Sequence, residues 1–198
     1  MKGEPAPVDR VRDWMHSNVR DAAHAEQVAF LAERLFDGLA PLHALVSADR
    51  DLLVSAGLLH DIGWSGGRRA HHRRSCEMIR SDRNLPFEEP DRTIVALVAR
   101  YHRRSLPDPD RHPVYGALDE ADRARTRWLG GMLRLADWLD HDHEQLVADL
   151  RCDIDTDVIT VRCRVRRPVI EIVSEMVTRA DLLEEVGGRR YRIVWERD

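Results

Sequence analysis

Apolar residues recur at the spacing of an α-helix along about the first 150 residues of this 198-residue chain. Several of these apolar stripes also carry a histidine or an aspartate. The clearest example is LLVSAGLLHDIGW, residues 52–64, in which His60 and Asp61 follow a run of apolar residues. Charged side chains are seldom buried unless they are paired or bind a metal. The chain must therefore satisfy several polar groups inside a helical core.

The hydrophobic pattern predicts helices up to Leu150 and a mixed segment after it. Helices are expected over residues 8–18, 21–38 and 49–62, with Gly63 as the C′ residue of the third, then from near His72, within 91–105 and within 125–143. The alternating stretch DVITVRCRVR predicts a strand, with a partner strand near residues 151–155, a helix ending at Gly187 or Gly188, and a last strand in RRYRIVWE. The expected fold class is mainly α, with a helical domain over residues 1–150 and a small α+β tail over residues 151–198.

Charge and cysteine content indicate which partners and which cellular location to expect. The net charge of −4 is modest, which argues against a nucleic acid polymer or a membrane surface as a partner. The three cysteines, Cys76, Cys152 and Cys163, form neither a disulfide framework nor a zinc motif, so a reducing cytoplasm is the expected location. The N-terminal residues lack the apolar region of a signal peptide, and no apolar run approaches the roughly 20 residues that span a bilayer.

Five segments each place a metal-type ligand on or beside an apolar stripe: His24, the His60–Asp61 pair, His71 or His72, His102, and Asp137. Any one of them alone is more often a hydrogen-bonded or ion-paired core residue. Several unpaired polar groups in one core would each cost about 1–3 kcal/mol, and a shared cation removes that cost for all of them. Imidazole together with carboxylate suits Mn, Fe, Zn, Co or Ni, with Mg also considered, and the set contains no thiolate.

The order of these residues, H…HD…D, resembles the HD-domain superfamily of metal-dependent phosphohydrolases. The segments LLHDIG, HHRRS, ALVARYHRRSLP and LRLADWLD are similar to the C-terminal HD region of the exopolyphosphatase/guanosine pentaphosphate phosphohydrolase family. The tail segment TRADLLEEVGGRRYRI is similar to the end of that family, so the resemblance covers residues 20–195 or nearly so. It implies an HD-domain helical bundle.

The resemblance also implies the ligands of the site. His24, His60, Asp61 and Asp137 would hold one divalent metal, and Asp61 would bridge to a second ion held by His72 and His102. His72 is preferred because it opens HRRS, with Cys76 and Ile79 following on its stripe, whereas His71 stays an alternative. Asp61 and His60 are the expected catalytic centre, and two ions would activate a water to attack phosphorus.

Arginines flank the predicted ligands in the sequence, and their planar guanidinium groups can bind two phosphate oxygens at once. Arg73, Arg103 and Arg104 are the candidates for binding substrate phosphate, and Arg68, Arg69 and Arg74 lie near them in the sequence. A solvated surface is the alternative interpretation. The expected function is metal-dependent hydrolysis, by a phosphatase or phosphodiesterase, of a nucleotide, a polyphosphate or another small phosphoester.

One departure from the family favours a second hypothesis. The larger enzymes carry their phosphatase chemistry in an actin-like domain ahead of this region, and the present sequence shows neither that domain nor a glycine-rich phosphate loop. The alternative is therefore a regulatory or binding module that uses the HD site to sense a phosphorylated ligand or to form a homodimer.

Overall fold

A computed structural model describes residues 5–67, 69–167 and 179–197 of the chain. In these ranges the helices are α1 Pro7–Asn18, α2 Ala22–Gly38, α3 Ser47–Leu59, α4 His71–Ser81, α5 Asp91–Tyr101, α6 Pro113–Gly116, α7 Glu120–Leu139 and α8 Asp181–Gly187. The strands are β1 Val147–Ile154, β2 Val158–Val165 and β3 Arg190–Glu196. The expected fold class, mainly α with a small C-terminal α+β appendage, is confirmed. No helix within the described ranges has both the length and the apolar character of a membrane span.

Side-chain and proline caps define where the longer helices begin. Asp21 accepts a hydrogen bond from the backbone N–H of His24 at 3.1 Å and starts α2. Asp119 accepts the equivalent bond from the backbone of Asp122 at 2.8 Å and starts α7. Pro7 occupies the first turn of α1, where its missing N–H costs nothing. The cap at Asp21 fixes where α2 begins, so that His24 lies in its first turn.

The helical core forms where α2 packs against α3 and α7, and α5 packs against α3, α4 and α7. Leu31, Leu53 and Leu133 are fully buried at these contacts. Gly57 allows α3 to approach α2 very closely, because a Cβ there would lie 2.8 Å from the Cα of Ala29. This close contact brings the C-terminal end of α3 next to α2, and therefore His60 near His24.

The predicted role of Gly63 is wrong. The helix α3 ends at Leu59, and a 3₁₀-helix over Ile62–Gly66 follows it, so Gly63 lies inside a helical turn and not in a left-handed C′ position. The requirement for glycine is instead steric, because a Cβ at this position would lie 2.4 Å from the carbonyl oxygen of His71. Gly63 thus sets how closely the start of α4 packs beside the His60–Asp61 pair.

The C-terminal part contains a three-stranded sheet in the order β1-β2-β3. The pair β1–β2 is antiparallel and the pair β2–β3 is parallel. Strand β1 packs on α2, and α8 packs on α7. The predicted helix that ends this segment is described only as α8, because residues 168–178 lie outside the described ranges. The division into domains at residue 150 stays a prediction; β1 begins at Val147.

Candidate metal centre

A first cluster of three side chains comes from three different helices. His24 lies in the first turn of α2, His60 follows the last residue of α3, and Asp137 lies near the end of α7. The Nε2 atoms of His24 and of His60 are each 3.5 Å from Oδ1 of Asp137. All three ligand atoms lie within 4.8 Å of one another. These spacings suit nitrogen and oxygen ligands about 2.0–2.2 Å from one shared ion.

A second cluster adjoins the first and is formed by Asp61, His71 and His102. Oδ1 of Asp61 is 3.1 Å from Nε2 of His71 and 3.8 Å from Nε2 of His102, and the two Nε2 atoms are 3.3 Å apart. The other carboxylate oxygen of Asp61, Oδ2, lies 3.6 Å from Nε2 of His60 in the first cluster. Asp61 therefore contacts both clusters.

Two of the histidine rings are fixed by hydrogen bonds from their Nδ1 atoms to backbone carbonyl oxygens. His60 donates to the carbonyl oxygen of Gly57 at 2.7 Å, and His102 donates to that of Ala99 at 2.6 Å. A carbonyl oxygen can only accept, so Nδ1 must carry the proton in each ring. In the neutral ring this leaves the lone pair on Nε2, the atom that faces the cluster. Such outer hydrogen bonds are typical of metal-binding histidines.

Several atoms at the centre of the site are buried and lack a hydrogen-bond partner among the described residues. They are Nε2 of His24, Nε2 of His60 and Oδ1 of Asp61. Each such atom costs roughly 1–3 kcal/mol when it is left unsatisfied. All three point into the clusters, where a cation would satisfy them together. The residues present therefore fit divalent metal, and nitrogen with carboxylate oxygen is a suitable donor set for it.

The pKa values show strong coupling between the acids and the bases of the first cluster. Burial by itself lowers the pKa of His24, but the nearby carboxylates of Asp137 and Asp140 outweigh it and raise the pKa to about 9. Burial by itself raises the pKa of Asp137, yet its contacts with His24 and His60 hold that pKa well below the usual range. In the absence of a cation, a proton therefore occupies the Nε2 atom of His24 near pH 7, where a metal would bind.

His102 in the second cluster has the opposite shift. Complete burial is the main cause that lowers its pKa to about 4, and the charge of His60 acts in the same direction against the opposing carboxylates. His102 is therefore neutral near pH 7, which is the protonation state that a metal ligand requires.

The structure places His71, and not the preferred His72, beside Asp61 and His102. Helix α4 begins at His71, and consecutive residues of a helix point about 100° apart, so the two side chains face different surroundings. His72 lines a neighbouring cavity, which His71 also lines, but it is not part of the cluster, and its Nδ1 has no hydrogen-bond partner in the described part of the chain. The other five predicted ligands, His24, His60, Asp61, His102 and Asp137, lie in the two clusters.

Two residues near the site were not identified as partners of the ligands by the sequence. Asp140 is buried and accepts a hydrogen bond from Nδ1 of His24 at 2.8 Å. The neighbouring His141 is exposed and bonds to the carbonyl oxygen of Trp138. His143 stacks on the ring of His24 with 3.8 Å between ring centroids. The signal for Asp140 was its position one helical turn after Asp137 in LADWLD.

Two cavities of different character adjoin the clusters. We call the larger one, of about 690 Å³, the apolar cavity: Val19, Ala25, Ile62 and Trp64 supply apolar lining, and His24 and Asp61 also line it. The smaller one, of about 280 Å³, is the basic cavity and is lined by Arg69, His71, His72, Arg103 and Arg104. His71 and Asp61 are 3.1 Å apart, so the two cavities meet at the second cluster.

The structure separates the flanking arginines into different groups. Arg103 and Arg104 line the basic cavity, as does Arg69, whereas Arg73 is exposed and is not among the lining residues. Arg74 donates hydrogen bonds to the carbonyl oxygens of Gly63, Gly67 and Arg69, so it stabilises the loop before α4. Arg68 lies outside the described residues. Phosphate binding by Arg73, Arg103 and Arg104 remains a prediction, and the geometry adds Arg69 as a candidate.

Comparison with protein families gives a match to most of the chain. The family model described as Ppx/GppA phosphatase, domain III, matches residues 10–186, which include every residue of both clusters. No curated protein matches the chain.

Proposed function

The chain belongs to the Ppx/GppA phosphatase domain III family, and from that premise we propose that it is itself a metal-dependent phosphohydrolase of the HD type. Its substrate would be a nucleotide, a polyphosphate or another small phosphoester. The family supplies the relation to phosphatases. The proposal that this domain itself catalyses hydrolysis rests on the two clusters.

The observation that carries the proposal is the shared position of Asp61 between two groups of metal-type ligands. Its Oδ1 lies in the cluster with His71 and His102, and its Oδ2 lies 3.6 Å from His60 in the other cluster. A core that needs only helix packing has no use for such a group of unpartnered buried ligand atoms, because each is destabilising. Retaining them together is consistent with a site built for two cations.

His24, His60 and Asp137 would hold one divalent ion, and Asp61, His71 and His102 would hold the other. When bound, such ions supply activation of water at neutral pH and neutralisation of charge on the phosphoryl oxygens. The protein residues fix the arrangement, since the carbonyl oxygens of Gly57 and Ala99 hold the rings of His60 and His102 in one tautomer. Both rings are completely buried or nearly so, which keeps them oriented and dry.

The basic cavity would bind the phosphoryl group of the substrate. Arg69, Arg103 and Arg104 line it, and guanidinium groups bind phosphate oxygens bidentately. His71 belongs both to this cavity and to the second cluster. A phosphoryl group held by the arginines would therefore lie next to Asp61.

Metal analysis together with a phosphate-release screen tests the proposal. We expect the purified protein, incubated with Mn²⁺ or Fe²⁺ and desalted, to retain close to two ions per chain and to release phosphate from at least one small phosphoester. Asp61→Asn should lose the second ion and at least 10³-fold in kcat/KM, because it removes the carboxylate common to both clusters. Asp51→Asn, an exposed position on the preceding helix α3, is the matched control and should change neither quantity.

Two results would contradict the proposal. A protein that takes up no metal under any of these conditions would exclude the site itself. A metal-loaded protein in which Asp61→Asn hydrolyses substrate as fast as the wild type would exclude the clusters as the catalytic centre.

The family match also favours a second candidate function. The matched model describes one domain of a phosphatase, so a regulatory or binding role for this domain is consistent with the match. In that case the protein would bind metal and a phosphorylated ligand, with loss of both in Asp61→Asn, but would release no phosphate. Calorimetry with the metal-loaded protein and the same set of phosphoesters separates the two candidates.

A further inference from the structure

The two cavities beside the clusters differ in chemistry. A substrate with negative charges along its whole length would need basic residues in both of them. Three arginines line the basic cavity. Among the described residues that line the apolar cavity, Arg20 is the only arginine, and the acidic Asp21 follows it. A chain of phosphates that extended from the basic cavity through the clusters would place its further charges against apolar lining. Desolvation of those charges without partners is unfavourable.

Trp64 is the most distinctive residue of the apolar cavity. It lies in the 3₁₀-helix three residues after Asp61, and its backbone N–H donates to the carbonyl oxygen of Asp61 at 3.0 Å. The residue is 38 % exposed, and Val46 is the only other large hydrophobic residue that is exposed in the described part of the chain. The indole ring centroid is 5.4 Å from that of His71, a residue of the second cluster. The backbone bond therefore holds an accessible aromatic ring beside the clusters.

Apolar atoms supply most of the exposed surface of this cavity, and Asn18, Ser65 and His143 add polar groups, so the lining suits a neutral organic group. Val19, Ala25 and Ile62 contribute apolar surface, and the cavity volume of about 690 Å³ lies within the range of typical small-molecule sites, roughly 300–1,000 Å³. An aromatic ring can stack on an exposed indole, whatever its particular substituents, because every aromatic ring has a π face. An aliphatic or fully charged group would gain less from this surface.

We propose that the apolar cavity binds the alcohol part of an organic phosphoester, that this part carries an uncharged aromatic ring, and that Trp64 stacks on the ring. The inference rests on the proposed function and narrows its substrate class, because it excludes an inorganic polyphosphate as the preferred substrate. In the reaction, the P–O bond to the alcohol breaks, water supplies hydroxyl to phosphorus and a proton to the departing oxygen, and the alcohol leaves on the side of Trp64.

A binding measurement tests the cavity independently of turnover. Calorimetry with adenosine, guanosine, cytidine, uridine and phenol, none of which carries phosphate, should show binding of at least one compound to the full chain. Trp64→Ala should weaken that binding about tenfold or more, and Trp64→Phe should retain most of it because it keeps an aromatic ring. Val46→Ala, at an exposed apolar position outside the cavity lining, is the control and should bind as the wild type does.

Kinetics with the metal-loaded protein give the second test. The 5′-monophosphates of the same nucleosides and phenyl phosphate should include substrates with a higher kcat/KM than tripolyphosphate or glycerol phosphate. Trp64→Ala should raise KM for the best aromatic substrate about tenfold, a larger loss than on tripolyphosphate, whereas Val46→Ala should leave kcat/KM for both substrates unchanged. A preference for tripolyphosphate, or equal losses on both substrates, would overturn the inference.

Failure of the inference and failure of the proposed function give different results. Binding of an aromatic compound that depends on Trp64, with no phosphate released from any substrate, contradicts the proposed function and supports the inference. Hydrolysis of tripolyphosphate, with no aromatic compound bound and no effect of Trp64→Ala, supports the proposed function and overturns the inference.

Discussion

Asp140 accepts a hydrogen bond from Nδ1 of His24 at 2.8 Å, and both side chains are buried. The other oxygen of Asp140 accepts from the backbone N–H of Gln145 at 2.7 Å, which fixes the carboxylate. Nε2 of His24 consequently faces Asp137 and His60. The connection after α7 therefore orients a ligand that lies at the start of α2, more than 100 residues earlier in the chain.

Replacing Asp140 with asparagine should weaken metal binding at the first cluster. The substitution keeps the shape of the side chain but removes the charge that holds the Nδ1 proton of His24, and losses of such outer partners typically cost about 10–100-fold in metal affinity. Competition with a chromophoric chelator measures the change. Asp142→Asn, at an exposed position nearby, should leave the affinity unaltered. An unchanged affinity in Asp140→Asn would contradict the role assigned to this hydrogen bond.

His71 and His72 should differ in their effect on metal content. His71→Ala removes a side chain whose Nε2 is 3.1 Å from Asp61, so the bound metal should fall from about two ions to one per chain. His72→Ala should keep both ions, because its ring lines the basic cavity and lies outside the clusters. Elemental analysis of desalted proteins is the measurement. Loss of one ion in His72→Ala, with both ions kept in His71→Ala, would instead identify His72 as the ligand.

Metal affinity at the first cluster should increase with pH. The carboxylates Asp137 and Asp140 overcome the effect of burial and raise the pKa of His24 to about 9, so a proton occupies this ring at neutral pH when no metal is bound. A metal must displace that proton, and the cost falls as the pH approaches 9 and disappears above it. Affinity should therefore rise by up to about tenfold per pH unit for each proton released, between pH 7 and pH 9.

Calorimetry in two buffers of different ionisation enthalpy measures the protons released as metal binds. Asp140→Asn should release a smaller fraction of a proton at pH 8, because it removes one of the groups that raise the pKa of His24. Affinity that is flat across this range would show that His24 is neutral before the metal arrives.

The close contact between α2 and α3 should be sensitive to a single methyl group. Gly57→Ala would place Cβ 2.8 Å from the Cα of Ala29, which is backbone and cannot turn aside, so we expect a loss of about 1–3 kcal/mol in the free energy of unfolding. Gly130→Ala on α7 is the matched control, since the added Cβ would lie 3.6 Å from its nearest neighbour, a side-chain carbon of Leu182. There the better helix propensity of alanine should raise stability by up to about 1 kcal/mol.

Urea unfolding of the two glycine variants gives both values from the shift of the midpoint. Because Gly57 lies three residues before His60 and accepts its Nδ1 hydrogen bond, Gly57→Ala should also weaken metal binding. A variant that is as stable as the wild type and binds metal equally well would show that α2 and α3 can separate without disturbing the site.

The helical part of the fold and most of the cluster residues could be predicted because a helix has a fixed period. His24 precedes Val28, and Leu133 precedes Asp137, by four residues, so each polar group shares a stripe with a buried apolar residue. The alternation of Ile159, Val161 and Cys163 predicted a strand for the same reason, since the period of a strand is two. Local covalent geometry decides these features.

The sequence alone determined which helix faces are buried and which residue types they carry. The tertiary structure decided which of two adjacent histidines faces Asp61, because that depends on where α4 begins and on how Gly63 lets its first turn pack. It also decided that Asp140 reaches His24, a contact between residues 116 positions apart. The physical reason is that periodicity fixes directions within one helix, whereas the rotation and separation of two helices are set by the packing of all the side chains between them.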